Sequence, residues 1–80
     1  MDNENKFRTP DFYVSAFLIA KGYKLTHTEG DSSGRVFFVF TDCEDRKDLL
    51  RAFLYGKAQV ECQAFINAIK SLKQVIHSRD

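Results

Sequence analysis

The side chains best suited to bind a metal or attack a substrate are two cysteines and two histidines. They are His27, Cys43, Cys62 and His77. Two ligands of one metal site usually lie a few residues apart, because a single local structure must aim both at the same ion. No two of these four residues have that spacing. The sequence therefore predicts no metal site, and nothing in it calls for a cofactor.

Cys43 is the candidate nucleophile, since it falls at the start of a predicted helix, where the helix dipole favours a thiolate. Asp42, Glu44 and Asp45 surround it, however, and their negative charges oppose ionisation of the thiol. Helix capping explains these acids without catalysis. A pair of catalytic carboxylates would need one acid in an apolar pocket, and no segment marks such a pocket. We expect no catalytic residue and no enzymatic activity.

The charges nearly balance, with 12 Lys and Arg against 11 Asp and Glu. A net charge of +1 creates no general attraction for nucleic acid. The C-terminal segment is locally basic, because it carries Lys70, Lys73 and Arg79 with Asp80 as its acid after residue 61. These three cations are a candidate nucleic-acid surface, although a few exposed phosphate contacts give only weak, salt-sensitive binding.

Two features of the sequence bear on cellular location: the polarity of its first residues and the length of its apolar runs. The opening "MDNENKFRTP" is polar, unlike the apolar core of a signal peptide. No apolar run reaches the roughly 18 residues that a membrane-spanning helix needs. We expect a cytoplasmic protein without membrane contact, in which both cysteines are free thiols.

The clearest helix is "TPDFYVSAFLIAKG", residues 9–22. Thr9 is a good N-cap, Pro10 suits the first helical position, and Gly22 can close the helix. Apolar residues cover almost the whole circumference between these ends. A helix that is apolar all round is enclosed. It is either central in its own domain or partly covered by a second subunit.

Two strands follow, "YKLTHTE" and "RVFFVFT", joined by the turn sequence "GDSSG". Alternation in the second strand places Val36, Phe38 and Phe40 on the predicted core side. Phe37 and Val39 then face the opposite side. Both faces of this strand are apolar. In a small domain, the rest of the chain usually covers only one face of a strand.

Alternation in the first strand assigns its residues to the same two faces. Tyr23, Leu25 and His27 are expected on the core side, with Thr26 and Thr28 on the other. If all helices cover the core side, the open side presents Phe37, Val39, Thr26 and Thr28. These four residues are the predicted protein interface.

The remaining chain completes an α+β domain in the order α-β-β-α-(β)-α. Asp42 is the expected N-cap of a second helix that ends at Gly56, and residues 57–61 alternate like a short third strand. Residues 62–77 have helical spacing. Residues 1–8 lack any periodicity and are expected to form a flexible lead-in. Residues 9–80 then form one compact domain, with a small antiparallel sheet packed against three helices.

Three segments together resemble a family of short, mostly bacterial proteins known only as a domain of unknown function. They are "FYVSAFLIAKGYKL", "GRVFFVFTD" and "LRAFLYGKAQVECQAFINAIKSLKQVI". The resemblance spans about residues 9–77 and rests on structural features, such as the aromatic strand running into Thr-Asp. It supports the fold and implies no activity, cofactor or site residue.

Surplus apolar surface on the sheet and the first helix is the main functional indication. It predicts a non-enzymatic interaction module that binds protein, most simply a second copy of itself in a symmetric homodimer. The alternative is a small nucleic-acid-binding accessory protein that uses Lys70, Lys73 and Arg79.

Overall fold

The computed structural model describes residues 5–78, which form an α+β domain of three helices and a three-stranded antiparallel sheet. The elements in chain order are β1 (Lys6–Thr9), α1 (Phe12–Ala20), β2 (Leu25–Gly30), β3 (Val36–Thr41), α2 (Arg46–Leu54) and α3 (Cys62–Ser78). The predicted fold class is confirmed.

The third strand of the sheet comes from the N-terminal segment. The strand order is β1-β3-β2, with Phe7 of β1 opposite Phe40 of β3. Residues 57–61, where the third strand was expected, form neither strand nor helix. Residues 6–8 were expected in the flexible lead-in, but they pair with β3 because Phe7 packs against the core. Residues 1–4 of that lead-in lie outside the described residues.

The start of α1 differs from the prediction by two residues. Asp11 is the N-cap, and its carboxylate accepts a hydrogen bond of 3.0 Å from the Val14 amide. Thr9 cannot cap the helix because its backbone belongs to β1, opposite Phe38. Its hydroxyl instead accepts the Asp11 amide at 3.1 Å. The predicted end is confirmed by Gly22, whose φ of +101° favours glycine.

The core lies where α1 packs against both the sheet and α3. Ala16 and Leu18 of α1, Phe40 of β3 and Leu72 of α3 are completely buried. α2 also reaches α1, since the Phe53 and Phe17 rings lie 5.2 Å apart. Most of the apolar circumference of α1 is therefore covered by its own chain, whereas Tyr13 remains 57% exposed.

α2 lies at the periphery of this core, and none of its residues is fully buried. It begins at Arg46 with Asp45 as its N-cap residue, so the expected cap at Asp42 was wrong. The Asp42 carboxylate instead accepts the Cys43 amide and pairs with Arg46. At the other end, Leu54 and Tyr55 are exposed.

α3 begins at the predicted residue, Cys62. The carboxylate of the preceding Glu61 accepts hydrogen bonds from the Gln63 and Ala64 amides, at 3.1 and 2.8 Å. It thereby satisfies two donors of the first turn, as an N-cap side chain does. Within residues 5–78, no helix has both the length and the apolar content needed to cross a membrane.

Candidate interaction surface on the sheet

A β-bulge in β2 decides which side chains share the second side of the sheet. Leu25 pairs with Phe40, His27 with Val39 and Thr28 with Phe38, so Thr26 is the extra residue. Because the bulge shifts the alternation by one, His27 lies on the same face as Val39, and Thr28 on the core face with Phe38. The predicted faces of His27 and Thr28 were therefore wrong.

We call this second side of the sheet the outer face and define it by Arg8, His27, Glu29, Phe37 and Val39. Arg8 and His27 lie on either side of Val39, and Glu29 pairs with Phe37. Charged groups and an imidazole thus flank the two apolar residues that the sequence predicted to be bare.

Of the four predicted interface residues, only two are available at this surface. Val39 is 3% exposed and cannot contact a partner, and Thr28 is half-buried on the core face. Thr26 is exposed at the bulge, and its hydroxyl donates to the Val39 carbonyl at 3.0 Å. Phe37 is half-buried. The accessible outer face is therefore less apolar than the sequence suggested.

Arg8 covers the Phe37 ring. The Cζ atom of its guanidinium lies 3.8 Å from the ring centroid, close enough for a cation–π interaction. Arg35 approaches the same ring at 6.0 Å, near the limit of such contacts. Two cations therefore contact the aromatic ring that strand alternation directs to this side.

Glu29 connects the groups of the outer face to each other. Its carboxylate accepts from Arg8 Nε at 2.8 Å and lies 2.9 Å from His27 Nε2. The hydrogen bonds from His27 and Arg8 hold the pKa of Glu29 below its usual value. Arg8 belongs to β1 and Glu29 to β2, so this network spans the central strand. Because the side chains are nearly half exposed, its contribution to stability is small.

A second polar cluster surrounds the start of α2. Arg46 Nε donates to Asp42 at 2.9 Å, and the Arg46 guanidinium lies 4.2 Å from the Phe7 ring centroid. This bond from Arg46 lowers the pKa of Asp42. The Tyr23 hydroxyl donates to Asp45, and burial raises the pKa of Tyr23. These contacts link Phe7 of β1 to Arg46 of α2, and link the segment between α1 and β2 to the residue that caps α2.

Cys43 borders an open cavity of about 370 Å³ beside this cluster. The cavity is lined by Asn5, Asp42, Cys43, Glu44, Arg46 and Lys47. Cys43 and Cys62 are both exposed free thiols. Across the described part of the chain, no three His, Cys, Asp or Glu side chains are grouped so that they could hold a metal ion.

The basic residues proposed for nucleic-acid binding lie on α3. Lys70 and Lys73 are exposed, as is His77 one turn further on. Arg79 lies outside the described residues. The structure therefore places two of the three predicted cations on one accessible side of a helix.

Sequence reasoning assigned His27 to the core side and missed two other outer-face residues, Arg8 and Glu29. Their pairing requires β1, which was taken for part of a lead-in. A signal was present, because Lys6 and Arg8 alternate with Phe7 and Thr9 as polar and inward-facing residues do in an edge strand. Four residues are a weak signal on their own.

Comparison with known proteins gives a family and nothing more specific. A family model described as "Domain of unknown function (DUF5659)" matches residues 4–78. The chain belongs to this family. The match contains all six helices and strands and confirms the resemblance seen in the sequence. No curated protein and no solved structure matches the chain.

Proposed function

We propose that this domain is a non-enzymatic interaction module that associates with a second copy of itself. The observation that carries the proposal is the sheet: β2 is an edge strand of its described part, and the outer face beside that edge carries an aromatic ring and partly exposed charges. The opposite face packs against the helices. Aromatic residues and Arg are the types enriched where proteins meet, and the outer face offers Phe37 with Arg8 and Arg35.

A non-enzymatic role is supported by the pairing of the polar groups beside Cys43. Asp42 is paired with Arg46, and Asp45 accepts from the Tyr23 hydroxyl. A general acid at neutral pH needs a raised pKa, whereas the pKa of Asp42 is lowered. Structural contacts of Tyr23, Asp42 and Phe7 with the start of α2 account for this cluster. The two free thiols support a cytoplasmic location, where cysteines stay reduced.

Sedimentation velocity of the purified chain tests self-association directly. We expect the sedimentation coefficient to rise from the monomer value to the dimer value as the concentration increases through the micromolar range. A single monomer boundary at every concentration would contradict the proposal.

Nucleic-acid binding through Lys70, Lys73 and Arg79 is the second candidate function. It is favoured by the exposed row of Lys70, Lys73 and His77 on α3. Titration with labelled DNA and RNA at two salt concentrations tests it. Binding that weakens steeply with salt and is lost in the Lys70→Gln/Lys73→Gln variant would support this function. No binding at low salt would remove it.

A further inference from the structure

We propose that the second copy pairs antiparallel along the free edge of β2, with the two-fold axis at Thr28. The two sheets then join into one continuous sheet. This inference rests on the proposed self-association and names its interface. Its evidence is the direction of the backbone groups of β2 and the order of the charges along that strand.

β2 is an edge strand of the described sheet, since the order is β1-β3-β2. Hydrogen-bonded and non-hydrogen-bonded pairs alternate along an antiparallel ladder. The Asp31 amide donates to the Arg35 carbonyl at 3.1 Å, just beyond β2. By alternation, the backbone of Glu29 bonds to β3, and that of Thr28 points away from it. Thr28 therefore offers both an amide and a carbonyl at the free edge.

A two-fold axis at Thr28 allows both the amide and the carbonyl of this residue to form hydrogen bonds. The Thr28 amide of each copy meets the Thr28 carbonyl of the other, which forms a hydrogen-bonded pair of an antiparallel ladder. The two Thr28 side chains then lie side by side on the core face, and such Thr–Thr pairs stabilise neighbouring strands. The axis is perpendicular to the sheet, so both helical layers stay on the same side.

The same register makes the outer face complementary to itself. His27 of each copy lies opposite Glu29 of the other, at the non-hydrogen-bonded positions where side chains approach most closely. An axis at His27 would place two imidazoles opposite each other, and an axis at Glu29 two carboxylates. Both of those residues also direct their backbone bonds toward β3. Side-chain complementarity and backbone direction thus select the same register.

The other free edge, β1, lacks this complementarity. Its two charged residues, Lys6 and Arg8, are both cations, and it has only four residues. Lys and other charged residues on an edge strand are a known protection against strand addition. The edge of β2 is therefore the one that favours a second copy.

Substitution of Thr28 by proline is the central test. Thr28→Pro removes the amide that faces the free edge, while the bonds of β2 to β3 use neighbouring residues. Thr28→Val, which keeps the amide, is the matched control. By sedimentation velocity, we expect Thr28→Pro to be monomeric at concentrations where the wild type and Thr28→Val are dimeric. Circular dichroism of all three proteins checks that the monomer fold is retained.

Charge substitutions at His27 test the register. His27→Glu places a carboxylate opposite Glu29 of the other copy, and we expect the dimer dissociation constant to rise about 2- to 30-fold over two such contacts. His27→Lys places a cation opposite Glu29 of the other copy and is expected to leave dimerisation intact. Equal weakening by both variants would overturn the proposed register.

The exposed apolar end of α2 is the competing surface. Leu54→Ser removes its most exposed apolar side chain, at 78% exposure, without touching β2. We expect this variant to dimerise like the wild type. If Leu54→Ser abolishes the dimer, self-association stands but its proposed interface is wrong.

Amide hydrogen exchange tests the interface in the unmodified protein. In the dimer, the Thr28 amide becomes hydrogen-bonded, so its exchange should slow as protein concentration rises, whereas the Glu29 amide is already bonded to β3. A dimer in which Thr28 exchanges freely would overturn the β2 interface and leave self-association standing. A chain that stays monomeric would overturn both.

Discussion

The guanidinium of Arg8 lies over the Phe37 ring, with 3.8 Å between Cζ and the ring centroid. Arg8 is on β1 and Phe37 is on β3, two strands that pair although almost thirty residues separate them in the chain. This contact, together with the Arg8–Glu29 pair, gives the outer face its charged cover. It explains how a strand with two apolar faces is accommodated in a small domain.

Loss of the Arg8 side chain should destabilise the fold modestly. Arg8→Ala removes the cation–π contact and one partner of Glu29, and we expect the free energy of unfolding to fall by about 0.5–1 kcal/mol. Arg35→Ala is the matched control, because Arg35 lies 6.0 Å from the same ring. Urea denaturation at a dimer-free concentration measures both variants. An equal loss in the two would show that the close stacking of Arg8 has no special role.

Removal of the Phe7 ring tests whether β1 is an integral part of the domain. The ring packs against the core and beneath Arg46, so we expect Phe7→Ala to cost about 1.5–3 kcal/mol of unfolding free energy. Tyr55→Ala, at a residue that is 73% exposed, should change it by less than about 0.5 kcal/mol. Similar small effects for both would mean that residues 6–8 behave as the lead-in that the sequence suggested.

The Asp42–Arg46 pair should make stability depend on pH in the acid range. Its hydrogen bonds lower the pKa of Asp42 in the folded state below the value of 3.8 that the carboxyl has in the unfolded chain. The stabilisation is therefore complete above that unfolded value and is lost as the pH falls through the lower folded pKa. When the free energy of unfolding is measured against pH, it should fall less steeply in the acid range for Asp42→Asn than for the wild type.

Asp48→Asn is the control for that titration. Asp48 is a more exposed acid within α2, 3.6 Å from Arg51, and the two side chains are 81% and 68% exposed. Such a pair contributes little. In the Asp48→Asn variant, the free energy of unfolding should fall in the acid range as steeply as it does in the wild type. If the fall is equally steep for Asp42→Asn, the pair does not govern the acid response.

Elements with strong local signals could be predicted from the sequence. The run from Pro10 to Gly22 combines helix-favouring ends with a continuous apolar segment, and the turn chemistry of residues 30–34 fixes the hairpin. These features depend on neighbouring residues alone. The family match adds weight to the same elements without any functional residue.

Features that depend on pairing between distant segments could not be predicted in the same way. β1 is a four-residue strand, and it becomes recognisable only when Phe7 meets Phe40. The bulge at Thr26 likewise follows from pairing with β3, and it exchanges the faces of His27 and Thr28 relative to simple alternation. For this reason, the predicted interface combined residues that the fold separates.

Sedimentation velocity over a concentration series is the most direct test of self-association, the central claim. For the wild type, we expect the boundary to shift from the mass of one chain toward the mass of two as the protein becomes more concentrated. A boundary that stays at the mass of one chain up to the highest soluble concentration would contradict it.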